Sequence, residues 1–301
     1  MIDYKIAAIV VTYNRKELLK KCIESILKQT YMPSCVYVID NASTDGTNLL
    51  FETKQISSPL INYIQLKENG GGAQGFYEGI KRAHETNAFD GYWVMDDDGM
   101  PDTQCLENML PYLFSYNYVS PLVVSIEDNK LLAFPYKGIM TCEELFVKYH
   151  FIVENYSCPF NGILYSRKLV DSIGYPLKEL FIWGDEVNYH NRAINANYKP
   201  VTVLNAKHYH PKSKDVFVKS IGGREIVFVP QKWKGYCHYR NTIYNNKGKW
   251  SILKLISYYI KHIYYYLFII KDFSWFLCFN DAYFSGLMER LNGHKKYLNK
   301  N

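Results

Sequence analysis

Three adjacent carboxylates stand at the end of an apolar segment. Asp96, Asp97 and Asp98 follow residues 91–95, GYWVM, which have the character of a buried strand. Carboxylates this close repel one another, and a hard divalent cation would offset the repulsion. Alternate side chains of an extended chain share a face, so Asp96 and Asp98 would reach one ligand while Asp97 points elsewhere. The alternative is a solvated turn.

A glycine-rich stretch, residues 69–75 (NGGGAQG), precedes a helical pattern. Gly70, Gly72 and Gly75 have the G-x-G-x-x-G spacing of dinucleotide-binding loops, which would indicate an NAD-dependent oxidoreductase. Such a loop normally follows the first strand of its domain, whereas this one follows the third predicted strand. The other interpretations are a turn that needs positive φ, or a close approach of the backbone to a nucleotide or sugar.

A carboxylate pair follows the aromatic segment 181–184, FIWG. Asp185 and Glu186 stand where a helix is predicted to begin, so they could favour the positive end of its dipole. They could equally supply a general base beside Trp183, which would then serve as a platform for a sugar.

Two histidines, His208 and His210, lie two residues apart in a predicted extended segment. At that spacing they share a face, so the pair could bind a metal ion. Each could equally be structural.

Alternating strands and helices in the first hundred residues would bring these groups together. The pattern predicts an α/β fold with a mostly parallel sheet flanked by helices. Ligands bind at the carboxyl ends of the strands in such sheets, and all the polar clusters up to Asp98 fall at predicted strand ends. The strands are predicted at 5–11, 35–40, 61–66, 91–95, 118–124, 161–165 and 200–204, and the helices at 15–29, 47–55, 74–86 and 185–197.

Composition narrows the class of protein. The 301 residues are 48% hydrophobic and 21% charged, which excludes a mainly disordered chain. No helix-turn-helix or zinc pattern accompanies the modest net charge of +6, so a nucleic-acid partner is not expected. Seven scattered cysteines without C-x-x-C pairs indicate reduced thiols and a cytoplasmic protein.

The C-terminal segment, residues 247–301, has a distinct character. It holds nine Lys or Arg and three Asp or Glu, so it carries the whole positive excess. Lysines interrupt the aromatic stretch 251–279, and no 18-residue stretch free of charge could span a membrane. Helices lying on the inner face of the plasma membrane would suit this pattern. A helical subdomain packed on the sheet, or an oligomer interface, would suit it too.

Taken in order, the motifs resemble those of family 2 glycosyltransferases, which have the GT-A fold. The resemblance runs from residue 5 to about 245 and is greatest to the branch of bacterial galactofuranosyl- and rhamnosyltransferases. It rests on VVTYNR at 10–15, VIDNASTDGT at 38–47, NGGGAQGF at 69–76, MDDDGMPD at 95–102, FIWGDEVNYHNRA at 181–193 and KHYHP at 207–211.

The resemblance implies roles for individual residues. Glu186 would be the catalytic base, with Asp185 as the alternative or as its orienting partner. Asp96, Asp98 and His210 would hold Mn²⁺ or Mg²⁺, with His208 as second choice for the histidine ligand. The donor nucleotide and sugar would be contacted by Thr12, Tyr13, Arg15, Asp40, Asn69, Gly70, Gly71, Gly72, Asp96, Asp97 and Trp183.

The function implied is inverting transfer of a sugar from a nucleotide-sugar to a glycan or lipid-linked saccharide, in the synthesis of a surface polysaccharide. UDP-galactofuranose is the first expected donor and dTDP-rhamnose the second. Residues 1–246 would form the catalytic domain and 247–301 the basic aromatic segment. An NAD-dependent oxidoreductase and a non-catalytic sugar-nucleotide-binding protein are the competing classes.

Overall fold

The computed structural model describes residues 4–212 and 216–298. It divides into two compact units. The first comprises Met1–Lys178 and Tyr189–Ser213, and the second Glu179–Asn188 and Lys214–Asn301. The predicted boundary after residue 246 falls within the second unit, and the assignment of catalysis to residues 1–246 stays a prediction. The predicted segments also include residues 1–3, 213–215 and 299–301, which lie outside the described residues.

The first unit is built on a large mixed sheet. Within its described residues the strands are β1 (Ile6–Thr12), β2 (Cys35–Asp40), β3 (Ile61–Gln65), β4 (Gly91–Asp96), β5 (Met100–Pro101), β6 (Tyr118–Ser125), β7 (Leu131–Tyr136), β8 (Ile139–Thr141), β9 (Ile152–Glu154), β10 (Asn161–Ser166) and β11 (Val201–His210). The helices are α1 (Lys16–Ile26), α2 (Leu49–Glu52), α3 (Gly71–Glu85), α4 (Cys105–Met109), α5 (Leu113–Tyr116), α6 (Cys142–Tyr149) and α7 (Arg167–Ile173), and α8 (Asp185–Asn195) follows.

The strand order is β3-β2-β1-β4-β10-β6-β11-β5. The first four strands of this order are parallel, β10 runs antiparallel between β4 and β6, and β11 is again parallel to β6. Every residue of β1 and β2 is buried, as expected for central strands covered on both faces. The predicted α/β class with a mostly parallel sheet is confirmed.

Most predicted elements differ from the structure in their bounds by one to three residues at an end, and three of the differences have a visible local cause or extent. The helix predicted over 74–86 begins at Gly71, because the side chain of Asn69 accepts a hydrogen bond from the Gly71 N–H (2.8 Å) and starts the first turn within the glycines. The strand predicted over 200–204 continues to His210, since its second half pairs with β5 and β6. The helix predicted over 47–55 is reduced to Leu49–Glu52.

The second unit is mainly helical. It contains the hairpin β12 (Val216–Lys219) and β13 (Glu225–Phe228), then α9 (Lys232–Asn246), α10 (Ile252–Tyr264), a π-helical turn (Tyr265–Ile269), α11 (Phe273–Leu287) and α12 (Lys295–Leu298). Aromatic rings fill its core: Tyr266 stacks on Trp275, and the His262 ring stacks on Phe279. None of the helices in the described part of the chain is long and apolar enough to cross a bilayer.

Candidate functional site

The carboxyl ends of β1, β2 and β4 carry the first group of candidate residues. Thr12 ends β1 and pairs in register with Asp40 at the end of β2, while Val11 pairs with Asp96 at the end of β4. Because the three strands are adjacent and parallel, their polar ends meet at one edge of the sheet. The sheet thus brings these sequence-predicted residues together.

Asp97, the middle residue of the triplet, links the end of β4 to the end of β1 and the loop after it. Its Oδ2 accepts a hydrogen bond from the Thr12 hydroxyl (2.7 Å), and its Oδ1 accepts one from the guanidinium of Arg15 (3.1 Å). Burial raises the pKa of Asp97 to about 6, although Arg15 and Thr12 stabilise the charged form. Asp97 therefore connects β4 to the loop after β1.

Asp98 lies between two cationic or potentially cationic side chains. Its Oδ2 accepts a hydrogen bond from Arg15 (2.7 Å), and its Oδ1 lies 3.3 Å from Nε2 of His210 in an ion pair that lacks hydrogen-bond geometry. Burial opposes ionisation of Asp98, but His210 and Arg15 outweigh it and hold the pKa below its usual value. At neighbouring Asp96, burial and then repulsion from Asp98 and Asp97 raise the pKa well above its usual range.

His210 is oriented toward Asp98 by its other ring nitrogen. Nδ1 lies 2.6 Å from the carbonyl oxygen of Pro211, so it carries the proton and donates it there. In the neutral ring Nε2 is then a free acceptor, the form in which imidazole binds a metal. Burial lowers the pKa of His210, but the facing Asp98 carboxylate more than compensates, and the net shift is upward.

His208 has a different environment from His210. Its ring is fully buried, and a Cβ added at Gly99 or Gly162 would lie 2.1 Å from its Nε2 or 2.8 Å from its Nδ1. Burial lowers its pKa to about 3, so the ring is neutral at pH 7. Such close packing favours His210 over His208 as a metal ligand.

The donor set of this edge fits a divalent cation bound together with a diphosphate. A buried carboxylate oxygen on Asp98 without a hydrogen bond and a correctly oriented Nε2 on His210 are suitable ligands for Mn²⁺ or Mg²⁺. Within the described residues no group of three or more His, Cys, Asp or Glu side chains is arranged to hold a metal by itself. Asp98 and His210 would be two protein ligands of such an ion, and its other ligands would be oxygen atoms of substrate or water.

The loops after β1 and β2 are fastened to each other. Buried Asp40 accepts hydrogen bonds from the Tyr63 hydroxyl (2.5 Å) and from the backbone N–H of Ser43 (2.8 Å). Asn14 accepts one from the N–H of Thr44 (2.7 Å). The role of Asp40 toward a nucleotide stays a prediction, and the structure shows it organising the loop after β2. Tyr13 remains 43% exposed at this edge.

The glycines at the start of α3 have different surroundings. A Cβ at Gly75 would lie 2.3 Å from Cγ1 of Val11, and one at Gly79 would lie 2.4 Å from Cγ2 of Ile9, so both let α3 pack closely on β1. A Cβ at Gly72 would meet nothing within 4 Å. Of these three glycines, Gly72 is the one beside open space that a ligand could enter.

In the second unit, the carboxylate pair lies at the start of α8. Asp185 is buried, whereas Glu186 is partly exposed and its Oε2 accepts a hydrogen bond from the Gly184 N–H (2.8 Å). Trp183, which is 38% exposed, lies two residues before Asp185 in the chain. Of the two carboxylates, Glu186 is the one accessible to a substrate.

Three polar side chains on α9 that lie outside all the sequence motifs contact this loop: Arg240, Asn241 and Asn245. Their signal in the sequence is a short polar pattern, RNTIYNN, within an aromatic helix. An arginine and an asparagine at buried positions of a helix need partners, and that requirement could have drawn attention to them.

Comparison with known proteins identifies the family. The sequence model described as glycosyl transferase family 2 matches residues 7–173, more than half of the chain. The chain belongs to glycosyl transferase family 2. Galactofuranosyltransferase GlfT1 of Mycolicibacterium smegmatis is 31% identical over 251 residues, which cover 79% of this chain and 82% of GlfT1.

Solved structures of glycosyltransferases share the fold. The chain is similar to S. aureus TarS 1–349 in complex with UDP, with a TM-score of 0.58 and 16% identity, over 95% of this chain and 82% of that one. It is also similar to GalNAc-T7 with UDP, GalNAc and Mn²⁺, with a TM-score of 0.62 and 14% identity, over 97% of this chain and 58% of that one. The expected GT-A fold and family resemblance are confirmed, and the protein is a glycosyltransferase. Membership of the family favours this class over the NAD-dependent oxidoreductase.

Proposed function

We propose that this family 2 enzyme transfers galactofuranose from UDP-galactofuranose to a glycan or lipid-linked saccharide, with inversion and with a divalent metal ion. The observation that carries the proposal is the network of Thr12, Arg15, Asp97, Asp98 and His210 at one edge of the sheet. This network would supply two ligands for the metal ion, Asp98 and His210, and one cation, Arg15, for the diphosphate. The 31% identity to a galactofuranosyltransferase supports the choice of sugar.

The donor would be held by residues of the first unit. Exposed Tyr13 and the loop after β2, organised by Asp40, would contact the base and ribose. Backbone at Asn69 and Gly70–Gly72 would approach the sugar nucleotide, since Gly72 faces open space. Arg15 is half-exposed and already faces carboxylates, so it is placed to reach a phosphate oxygen as well.

Asp98 and His210 would hold the metal ion, with Asp96 contributing once a cation offsets the repulsion within the triplet. When bound, the metal neutralises charge on the departing diphosphate. Thr12 and Arg15 fix Asp97, and Asp97 in turn fixes the backbone that carries Asp96 and Asp98. The Pro211 carbonyl keeps Nε2 of His210 directed at the site.

Glu186 would act as the base. It would take the proton from an acceptor hydroxyl, which attacks C1 of the donor sugar from the face opposite the leaving group. One displacement inverts the anomeric centre and needs no covalent enzyme intermediate, in keeping with the burial of all seven cysteines. Trp183 would carry the acceptor sugar on its exposed face, and buried Asp185 would orient Glu186 or the acceptor.

Titration calorimetry with UDP and dTDP, each with and without Mn²⁺, tests the donor assignment. We expect UDP to bind more tightly with Mn²⁺ and the Asp98→Asn protein to lose that increment. Glu143→Gln, which changes an exposed carboxylate on α6, is the matched control. Binding of dTDP in place of UDP would identify a rhamnosyltransferase, and binding of neither would contradict the donor site.

Transfer assays with UDP-galactofuranose test the base. Glu186→Gln should lower kcat about 10²- to 10⁴-fold, the range over which a general base contributes, and leave UDP affinity unchanged. Normal turnover by this variant, together with loss in Asp185→Asn, would move the base to Asp185.

The C-terminal helices would hold the enzyme on the cytoplasmic face of a membrane, where a lipid-linked acceptor is available. The aliphatic side chains of Ile252, Leu253, Ile256 and Ile260 lie on one side of α10 and are 75, 78, 46 and 49% exposed. The positive excess of residues 247–301 favours anionic lipid over a second, equally basic copy of the chain.

Vesicle flotation tests this docking. The intact protein should float with vesicles containing phosphatidylserine, and Ile252→Glu combined with Leu253→Glu should remain in solution. Val147→Glu, at an exposed apolar residue of α6, controls for added negative charge. Equal flotation of all three proteins would contradict the proposal, and dimerisation lost only in the Ile252/Leu253 variant would instead assign this surface to a homo-oligomer.

A further inference from the structure

In the loop before α8, residues 180–184, one side-chain amide from α9 contacts three backbone carbonyls. The carbonyl oxygens of Leu180, Ile182 and Trp183 all accept hydrogen bonds from Nδ2 of Asn241, at 3.0, 3.0 and 2.6 Å. An amide nitrogen has two hydrogens, so the three carbonyls share them. Asn241 is fully buried, so the loop encloses this amide group.

Arg240 orients this amide. Its Nε donates a hydrogen bond to Oδ1 of Asn241 (2.8 Å), so the oxygen of the amide must face Arg240 and its NH₂ group must face the loop. The other guanidinium nitrogens donate to the carbonyls of Leu180 (2.7 Å) and Leu291. Arg240 is completely buried, and burial lowers its pKa. Burying a guanidinium costs free energy, so its burial here indicates that the fold requires the hydrogen bonds that Arg240 donates.

Asn245, one helical turn beyond Asn241, holds the other side of the carboxylate pair. Its Nδ2 donates to the carbonyl of Gly184 (2.7 Å), and its Oδ1 accepts a hydrogen bond from Nδ2 of Asn188 (3.0 Å). Asp185 and Glu186, the intervening acidic residues, lie between these two fixed points in the chain.

The backbone of the loop needs such support. Phe181 and Trp183 have φ of 69° and 57°, in the left-handed region that residues other than glycine rarely adopt. Gly184 has φ of 98°, and a Cβ there would lie 2.9 Å from Cβ of Asn241. Conformations of this kind persist only where the surroundings enforce them. Hydrogen bonds from α9 provide that enforcement.

We infer that Asn241, oriented by Arg240, is a positioning residue for the catalytic carboxylate. It acts through the loop that carries Trp183 and Gly184, and the Gly184 N–H in turn holds Glu186 by its Oε2. The inference rests on the proposed role of Glu186 as the base. It adds a function for α9 that the motifs did not indicate.

Asn241→Leu tests the inference, since leucine keeps the approximate volume and removes both amide donors. We expect kcat to fall about 10²-fold, because small displacements of a catalytic group are that costly. The donor KM and UDP affinity should stay within about twofold. Hydrogen exchange of residues 180–186 should become faster. Asn246→Leu is the matched control on α9, because its amide donates to Thr242 of the same helix.

A double variant separates positioning from general damage. If Asn241 acts through Glu186, Asn241→Leu combined with Glu186→Gln should lose no more single-turnover rate than Glu186→Gln alone. A wild-type kcat for Asn241→Leu, or a full additional loss in the double variant, would overturn the inference.

The assignment of Glu186 as the base can be refuted separately from this inference. Normal turnover by Glu186→Gln would refute the base assignment, and the same cycle with Asp185→Asn would then decide which carboxylate Asn241 positions. If circular dichroism shows that Asn241→Leu does not fold, Asn241→Asp takes its place, because aspartate keeps an acceptor for Arg240 and removes both amide donors. That variant should show the same fall in kcat at unchanged UDP affinity, and a wild-type kcat would overturn the inference.

Discussion

Two glycines of the loop at residues 69–75 should respond in opposite ways to the same added methyl group. At Gly75 the new Cβ would lie 2.3 Å from Cγ1 of Val11 and 3.0 Å from Nδ2 of Asn41, so α3 would have to move away from β1. Overpacking of this kind costs about 1–3 kcal/mol, and the higher helix propensity of alanine returns up to about 1 kcal/mol. We expect Gly75→Ala to lose roughly 1 kcal/mol in the free energy of unfolding.

Gly72→Ala should stabilise the fold and weaken the site. Its Cβ would meet nothing within 4 Å, so replacing a helical glycine should gain about 0.5–1 kcal/mol. In the proposed function this open space receives the donor, and a methyl group there should weaken UDP binding about tenfold, or roughly 1.4 kcal/mol. Stability and affinity would then change in opposite directions.

Urea unfolding followed by circular dichroism, and calorimetric titration of UDP with Mn²⁺, measure the two effects. Gly248→Ala is the control, because its Cβ also meets nothing within 4 Å and the residue lies in the second unit. Unchanged UDP affinity in Gly72→Ala would show that the backbone there does not approach the donor. A Gly75→Ala protein as stable as wild type would refute the packing argument.

Three further predictions concern other parts of the molecule. Trp183→Ala should raise the acceptor KM about fivefold at unchanged UDP affinity, since roughly 1 kcal/mol of ring contact is lost; an unchanged KM would exclude Trp183 as the acceptor platform. Thr12→Val leaves buried Asp97 without one hydrogen bond, so the protein should lose about 1–3 kcal/mol in urea unfolding, and a wild-type midpoint would contradict this. Burial lowers the pKa of His262 to about 3, so the unfolded chain takes up its proton near pH 6.5 and the folded one does not. The folded state therefore has its full stability above about pH 6.5 and becomes less stable as the pH falls. Hydrogen exchange in α10 and α11 should show that the free energy of unfolding falls by about 2 kcal/mol between about pH 7 and pH 5. This fall should be absent in His262→Phe.

Much of the sheet could be predicted because its signals are local. Residues 35–39 are apolar and are followed by Asp40, and the strand predicted over 35–40 has those bounds in the structure. The element starting at Gly71 was less predictable, since glycine has low helix propensity and the helix starts there through a hydrogen bond to Asn69. The extension of β11 to His210 depends on pairing with β6, which the local pattern of residues 205–210 does not show.

The candidate residues were predictable as types and positions, but their individual environments were not. Asp96, Asp97 and Asp98 look alike in the sequence, yet Asp97 bonds Thr12 and Arg15 while Asp98 faces His210. His208 and His210 differ in the same way. The first is enclosed beside Gly99 and Gly162, and the second faces a carboxylate.

The sequence by itself determined the family, the alternation of strands and helices, and the placement of polar clusters at strand ends. Each of these depends on residue type, spacing or periodicity over a few positions. Only the tertiary structure decided which carboxylate of the triplet links β4 to Thr12 and which faces His210, and that α9 holds the loop before Glu186. Those decisions depend on hydrogen bonds between distant residues, such as Thr12 with Asp97, 85 positions apart, and Leu180 with Asn241, 61 positions apart. Such contacts form only when folding brings the groups together and burial makes an unsatisfied partner costly.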